Sequence, residues 1–380
     1  MLILNKKKRR KIILFILITT SLISSIVLIF FVNQIRNLDI DLNFDEKNAY
    51  NNVKDQLIIG NRIPGTAESN ETVFYFIQRF KEINPNITYF VQDFKVDSTD
   101  CKNVLFKINE KEENIVIIAA HYDSRAKATK DSEKPKKPVP GANDGASGCA
   151  VLIELAKVLY QEKDILSCQL WFVFFDAEDQ GKDEGGYGMD GWDWCEGSNE
   201  FVDDINNFYD SDDEVFDCMI LLDMVGGDNL QFIKEQYSTS SLIDELFEIG
   251  RQLGYTQEFP LFPQYSSVID DHSAFLEEDI PSADLVINFW NNPNWPYHHT
   301  TDDDLDHISK KSLKVTGRTI EQFIYNNYLD KSRKIYNGNK PWDINLLNTE
   351  MILFVAVIMV GIGGLIVFIY FHRKKKIKYF

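Results

Sequence analysis

Residues 115–123 have the sequence IVIIAAHYD, in which six apolar residues lead directly into His121, Tyr122 and Asp123. An unbroken apolar run of this length is typical of a strand that helices cover on both faces of a sheet. Similar runs lie at 103–108, 170–175, 219–222 and 285–287, and helical patterns lie around them at 68–83, 147–160, 241–253 and 311–325. This alternation predicts an α/β fold with three layers, α/β/α, around a central and mostly parallel sheet.

Polar side chains follow the predicted strands at their carboxyl ends, where the functional sites of such sheets gather. They are His121 and Asp123, Glu178 and Asp179, Asp223, Asp144 in the glycine-rich loop GANDGASG at 141–148, and the pair His298 and His299. Imidazole and carboxylate groups in this combination suit Zn²⁺. Asp123 stands two residues after His121 and can accept a hydrogen bond from its ring. Adjacent Glu178 and Asp179 allow one carboxylate to bind metal and the other to act as general acid and base.

Each of these residues also has an ordinary structural explanation. An acid at a strand end is most often a cap or a surface group, and 302–306 is typical of an acidic lead-in to a helix. Adjacent histidines are usually solvated, and only one of the two rings is expected to point inward. The agreement of five strand ends, in a chain with six histidines, favours a metal site. The sequence contains no GxSxG, no phosphate-binding glycine loop and no HExxH.

The charge distribution argues against nucleic acid as a partner. The chain has 40 basic and 58 acidic residues. Two short tails, 6–11 and 373–378, hold basic residues and no acid, so the segment between them is strongly acidic. Such a surface repels nucleic acid and favours cations. The five cysteines show no CxxC spacing, so a zinc site made of cysteines is not expected.

Two uncharged runs, 12–32 and 351–371, each adjoin one of the basic tails. Roughly 20 apolar residues span a bilayer as a helix, and basic residues accumulate on its cytoplasmic side. The sequence therefore predicts two transmembrane helices in a cell membrane, with both termini cytoplasmic and the middle segment extracytoplasmic. The predicted parts are basic tails at 1–11 and 372–380, linkers at 33–56 and 331–350, and a catalytic domain at 57–330.

The motifs together resemble the M28 zinc aminopeptidase and glutaminyl cyclase superfamily. The resemblance is carried by HYDS at 121–124, GANDGASG at 141–148, FDAED at 175–179, LLD at 221–223 and HTTDD at 299–303, with NRIPGT at 61–66 upstream. It implies a zinc exopeptidase-like fold and a substrate that is the amino terminus of a peptide or protein.

Two activities within that superfamily fit the residues. The aminopeptidases hold two zinc ions through positions that match His121, Asp144, Asp179, Asp223 and His299. The glutaminyl cyclases hold one zinc ion through the positions of Asp144, Asp179 and His299. In both groups Glu178 moves the proton, and in the cyclases Asp223 and Asp270 form a hydrogen-bonded network with it. The HTTDD motif assigns the metal to His299 rather than to His298.

Three features favour the bacterial-type glutaminyl-peptide cyclotransferases, which convert N-terminal glutamine to pyroglutamate and release ammonia. They are IDDHSAF at 269–275, LDMVG at 222–226, and the insertion at 185–197 with Trp192, Trp194 and Cys195. One feature opposes, because cyclases usually have tryptophan before the zinc histidine, where this chain has His298. Trp290 and Trp295 are expected to line the substrate pocket instead. A two-zinc aminopeptidase is the alternative, and an inactive M28-like ectodomain comes third.

Overall fold

The elements of the fold are taken from a computed structural model, which describes residues 42–290, 292, 293 and 295–329. They belong to one unit that begins at Asn43. The main helices are α1 Glu46–Ile59, α2 Ala67–Ile83, α3 Ala146–Gln161, α4 Glu196–Asp203, α5 Ser240–Gln252, α6 His272–Glu277 and α7 Lys310–Tyr328. The strands are β1 Thr88–Val96, β2 Thr99–Ile108, β3 Asn114–His121, β4 Gln169–Phe175, β5 Lys182–Asp183, β6 Gly186–Tyr187, β7 Val215–Asp223, β8 Lys234–Glu235, β9 Tyr265–Ser266 and β10 Ser282–Val286.

The central sheet has six strands in the order β1-β2-β4-β3-β7-β10. The four strands β4, β3, β7 and β10 are parallel to their neighbours within this group, as predicted. Strand β2 is antiparallel to both β1 and β4, so the sheet is mixed at one edge. For the β1–β2 pair the reason is local, because only Asp97 and Ser98 separate the two strands. A connection that short can join only antiparallel strands.

Helices cover both faces of the sheet, which confirms the three-layer α/β/α architecture. On one face, Phe76 of α2 stacks on Phe174 of β4 with ring centroids 4.2 Å apart. On the opposite face, Phe175 of β4 contacts Phe201 of α4 and Phe275 of α6. Successive residues of β4 therefore pack into different layers, which explains why the strand is apolar throughout rather than alternating.

The folded domain begins earlier than the predicted boundary at residue 57. Helix α1 lies largely within the predicted linker 33–56 and packs on α3 and α7. The Phe44 ring packs against Gly317, and the backbone N–H of Phe44 donates to Glu321. The buried positions of α1 include Asn52 and Gln56, so its inner face has too little apolar character to differ from a polar linker in sequence.

The predicted spans at 12–32 and 351–371 lie outside the described residues, as do the tails 1–11 and 372–380 and the linker 331–350. Within the residues that the structure describes, no helix combines the length and the hydropathy that crossing a membrane requires.

Candidate active site

The site lies where β3, β4 and β7 end at the same edge of the sheet. Strand β3 ends at His121 and β7 ends at Asp223, while Glu178 and Asp179 follow the end of β4. The loop that carries Asp144 packs closely against these strand ends at two glycines, Gly145 and Gly148. A Cβ atom at Gly145 would lie 2.3 Å from the carbonyl oxygen of His121, and one at Gly148 would lie 2.1 Å from that of Leu222. The glycines of the GANDGASG motif thus permit the close approach.

Left-handed backbone conformations concentrate at this edge. Eight non-glycine residues in the described part of the chain have positive φ, and four of them are Ala177, Cys195, Met224 and His299. They stand next to Glu178, at the start of α4, next to Asp223 and at the histidine pair. Each such conformation costs about 1–2 kcal/mol in an L-residue, and strain of this kind clusters at functional sites. The local backbone therefore supports a functional role for this edge.

The His121 ring is held among three carboxyl groups. Its Nε2 atom lies 3.0 Å from Asp223 Oδ1 and 3.2 Å from Asp144 Oδ1. Its Nδ1 atom lies 3.4 Å from Asp123 Oδ1. Asp123 also accepts hydrogen bonds from the backbone N–H groups of Glu178 and Asp179. One buried carboxylate thus fixes both the His121 ring and the turn that follows β4.

The second imidazole, His299, is held in a similar way. Its Nε2 atom lies 2.9 Å from Asp179 Oδ1 and 3.9 Å from Asp144 Oδ2, while its Nδ1 atom lies 2.6 Å from Asp183 Oδ2. The expectation that only one ring of the pair points inward is wrong, because His298 Nε2 also lies 4.0 Å from Asp144 Oδ2. The left-handed backbone of His299, with φ of 57°, allows both rings to face the same side.

The pKa values of the buried carboxyl groups of the site are shifted, in directions that differ from group to group. Burial raises the pKa of Glu178 well above normal, and it raises that of Asp223 to about 6. Burial and the charge of Asp144 raise the pKa of Asp179. For Asp144 the effect of burial is outweighed by the hydrogen bond from His121 and the charges of His121 and His299, so its pKa is lowered. Burial thus disfavours the ionised form of most of these carboxyl groups, and a bound cation would offset that cost.

The donor atoms fit a metal ion. Asp144 Oδ2 and Asp179 Oδ2 are buried and have no hydrogen-bond partner among the described residues. Two ligands at the usual zinc distances lie about 3.3 Å apart in a tetrahedral site. The separations of His299 Nε2 from Asp179 Oδ1 and Asp144 Oδ2, 2.9 and 3.9 Å, lie on either side of that value. Two groups of donors can each hold an ion, Asp144 with His298 and His299, and His121 with Asp144 and Asp223. Nitrogen and oxygen donors in these sets suit zinc.

A cavity of about 390 Å³ opens above these donors. Glu178 and Asp270 line it beside these donors, and Trp194, Phe289 and Trp290 form aromatic walls. Trp290 thus lies where a pocket residue was expected. Trp295 does not line the cavity, so that prediction is wrong. It is fully buried, with its ring against Tyr297 and its Nε1 atom close to Gly227.

Several residues of the site were not identified from the sequence. Arg125 is fully buried and donates to the backbone oxygen and the side chain of Asp179. Its guanidinium lies 4.9 Å from the ring of Trp194, which in turn is nearly parallel to His299 at 5.9 Å. Asp183 accepts from His299, and Lys130 Nζ lies 2.9 Å from His298 Nδ1. Arg125 directly follows the HYDS motif and Asp183 lies four residues after the FDAED motif, and this proximity in sequence was their only signal.

The fold and this site together define an α/β protein with a buried donor set that fits a metal ion. The chain belongs to peptidase family M28, whose model matches residues 103–324. It is similar to Aminopeptidase YwaD of Bacillus subtilis (strain 168), with 29% identity over 224 residues, which are 57% of this chain and 42% of that protein. It is also similar to a glutaminyl-peptide cyclotransferase of Gloydius blomhoffii, with 23% identity over 245 residues, 58% of this chain and 64% of that protein.

Among solved structures, the fold matches the glutaminyl cyclase of Bacteroides thetaiotaomicron bound to N-acetylhistamine. The TM-score is 0.66 and the identity 29%, over 75% of this chain and 99% of that one. The chain spans less than two thirds of the length of the two curated relatives. The predicted membership of the M28 and glutaminyl cyclase superfamily is confirmed, and both activities occur among the relatives.

Proposed function

We propose that this protein is a zinc-dependent glutaminyl-peptide cyclotransferase, which converts an N-terminal glutamine to pyroglutamate and releases ammonia. The observation that carries the proposal is the pair of carboxyl groups of Glu178 and Asp270 in an aromatic cavity. They have oxygen atoms within 4.8 Å of each other, and only 8% and 2% of the two residues is exposed. Two buried carboxyl groups this close do not ionise together, so the pair holds a proton that it can give or take.

The zinc ion of this proposal would be held by Asp144, Asp179 and His299. When bound, it polarises the γ-carboxamide oxygen of the substrate. The Arg125 guanidinium donates a hydrogen bond to Asp179 Oδ1, and Asp183 accepts the Nδ1 proton of His299. Contacts of this kind fix the orientation of metal ligands and the tautomer of the ring.

The chemistry needs a proton to move from the attacking amine to the departing ammonia. The α-amine nitrogen forms a bond to the δ-carbon of the glutamine side chain, and the bond from that carbon to the amide nitrogen breaks. Glu178 takes the proton of the amine and delivers it to the leaving nitrogen, with Asp270 beside it as proton partner. No water enters the reaction. The walls of Trp194, Phe289 and Trp290 suit this requirement, because water would hydrolyse the side chain to glutamate.

A second candidate is an aminopeptidase with two zinc ions. The observation that favours it is the position of Asp144 between two imidazoles, with Oδ1 3.2 Å from His121 Nε2 and Oδ2 3.9 Å from His299 Nε2. With Asp223 also next to His121, this arrangement suits a carboxylate that bridges two ions. Glu178 would then move a proton from the attacking water to the amine of the leaving peptide.

One experiment separates the candidates. The full-length protein, purified in detergent, is offered glutaminyl peptides and aminoacyl amides, and the release of ammonia from the first is compared with the release of the leaving group from the second. Its zinc content is measured in parallel. Ammonia release with one zinc ion per chain supports the cyclase, and cleavage of aminoacyl amides with two supports the aminopeptidase. A zinc-loaded protein that accepts neither substrate would make the inactive ectodomain the better explanation.

We further propose that the catalytic domain faces the outside of a cell membrane and that residues 12–32 and 351–371 anchor it. The support is the hydropathy of the two runs and the basic clusters at their outer ends. The substrates would then be the amino termini of extracytoplasmic peptides or proteins.

A further inference from the structure

One side chain in contact with Glu178 has no part in the proposed reaction. Cys195 is 4% exposed, and its thiol lies 3.6 Å from Glu178 Oε1. Its backbone N–H donates to the carbonyl oxygen of Glu178, and the N–H of Glu196 donates to that of Ala177. The start of α4 is thus fixed directly to the turn that carries Glu178, and the position of the thiol relative to the carboxylate is set by the backbone.

The spacing of this thiol and carboxylate is that of two ligands on one metal ion. Zinc lies about 2.3 Å from a thiolate sulfur and about 2.0 Å from a carboxylate oxygen, so the two donors lie about 3.5 Å apart in a tetrahedral site. The observed distance from Cys195 Sγ to Glu178 Oε1 is 3.6 Å. Asp270 supplies a third donor, because ligand atoms of all three residues lie within 4.8 Å of one another.

An independent observation is that one carboxylate oxygen of Asp270 lacks a hydrogen-bond donor among the described residues. Asp270 Oδ1 accepts the backbone N–H of Asp271 at 2.7 Å. Asp270 Oδ2 is buried and has no hydrogen-bond partner among the described residues. A carboxylate oxygen in that state is costly unless a proton or a cation meets it. Since Glu178 and Asp270 both line the cavity, an ion can reach them from solvent.

We propose that Cys195, Glu178 and Asp270 form an additional metal site, which takes a thiophilic divalent cation such as Cd²⁺ or Zn²⁺ in excess, and that its occupation inhibits the enzyme. Thiolate donors select such ions over the hard cations Mg²⁺ and Ca²⁺. On binding, the sulfur–hydrogen bond of Cys195 is replaced by a sulfur–metal bond and its proton goes to solvent, without any change of oxidation state. The inhibition rests on the proposed function, because an ion on Glu178 blocks its proton transfer. The binding of the ion to these three residues does not depend on the proposed function.

The test uses the full-length, zinc-loaded protein in detergent with cadmium chloride as the probe. Bound cadmium is measured by equilibrium dialysis, and the thiolate bond by its ultraviolet charge-transfer band. We expect the wild type to bind one cadmium ion with this band while it keeps its resident zinc. Cys195→Ser should lose the band and bind cadmium at least about tenfold more weakly, since loss of even an indirect metal contact costs about 10–100-fold. Cys101→Ser is the matched control, because the Cys101 thiol is also buried but donates to the backbone oxygen of Thr99 rather than to a carboxylate.

The inhibition is measured as the cadmium concentration that halves each protein's own cadmium-free rate. It should coincide with the binding midpoint in the wild type and in Cys101→Ser, and it should rise at least about tenfold in Cys195→Ser. A charge-transfer band that persists in Cys195→Ser would overturn the proposal. So would cadmium that replaces the resident zinc one for one without a band. If Cys195→Ser does not fold, Cys195→Ala gives the same comparison.

Failure of the proposed function would be distinguishable from failure of the site. Cadmium binding can be measured by dialysis and by the charge-transfer band even in a protein without cyclase activity. Those two measurements show whether the metal site exists. An active cyclase that keeps its full rate with one cadmium ion bound at Cys195 would refute the inhibition.

Discussion

Replacing Glu178 by glutamine is the most direct test of the proposed chemistry. The substitution removes the titrating group and keeps the shape. The amide oxygen of glutamine can still accept from the Cys195 thiol, which now lies 3.6 Å from Glu178 Oε1. The unpartnered oxygens of Asp144 and Asp179 are unchanged, so zinc binding should persist. Folding should not suffer either, because burial raises the pKa of Glu178 and so favours its uncharged form, and glutamine is uncharged too.

The expected loss of turnover is about 10²–10⁴-fold, the usual contribution of a positioned general acid and base. This corresponds to about 3–5 kcal/mol of activation free energy. A matched control is Glu184→Gln, which makes the same chemical change at an exposed carboxylate on the wall of the same cavity. Glu184 has no role in the proposed proton transfer, so the rate of this variant should stay within about twofold of the wild type, or about 0.5 kcal/mol of activation free energy.

The assay follows ammonia release from a glutaminyl peptide, or the leaving group of an aminoacyl amide if the wild type prefers that substrate. Zinc content and the midpoint of thermal unfolding are measured on the same preparations. Full activity in Glu178→Gln would refute its role in proton transfer. Loss of zinc or of folding together with activity would show that Glu178 is a structural or metal-binding residue instead.

Three further predictions concern the surroundings of the site and the membrane. Asp183→Asn should weaken zinc binding about 10–100-fold in a chelator competition, because Asp183 Oδ2 accepts from Nδ1 of the ligand His299 at 2.6 Å. Burial, helped by the charge of Asp123, raises the pKa of Asp176 to about 7. Between about pH 4 and 7 the unfolded chain is therefore ionised at this residue while the folded protein holds the proton, so stability should fall as pH rises, by at most about 4 kcal/mol. Asp176→Asn should flatten that slope in denaturant titrations at pH 5 and 8. Protease added to intact cells should digest the middle segment and spare the tails 1–11 and 372–380, and digestion of either tail in sealed cells would contradict the predicted topology.

The sequence predicted the central strands well because a strand that is buried on both faces is an unbroken run of apolar residues. The runs at 115–120 and 170–175 fall inside β3 and β4, with each end within one residue of the observed bound. Once these strands are parallel, the residues after them must meet at one edge. That is why His121 Nε2 and Asp223 Oδ1 lie 3.0 Å apart although the two residues are 102 positions apart in the sequence.

The elements that sequence reasoning missed are those whose burial is partial. Strand β1 lies at the edge of the sheet, with Tyr89 and Phe90 more than a third exposed, and its charged residues hide the alternation. The side chains that support the site were missed for another reason. The contact of Asp183 with His299 joins residues 116 positions apart, and it depends on how two loops pack rather than on any pattern within either.

The choice between one zinc ion and two depends on protons as well as on ligands. Burial alone would lower the pKa of His121, but its hydrogen bonds to Asp123, Asp144 and Asp223 outweigh burial and raise the pKa well above normal. The three carboxyl groups therefore favour the protonated ring, whose Nε2 proton lies where a second ion would bind. The pKa of His299 is raised as well, because the charge of Asp179 and the hydrogen bonds to Asp179 and Asp183 outweigh burial. His299 differs from His121 in that Asp179 Oδ2 and Asp144 Oδ2 beside it have no hydrogen-bond partner among the described residues. The first ion should thus bind at Asp144, Asp179 and His299, and a second must displace the proton of His121. Zinc content should then rise from one ion toward two as pH increases, and a stoichiometry of two already at acidic pH would refute this order of binding.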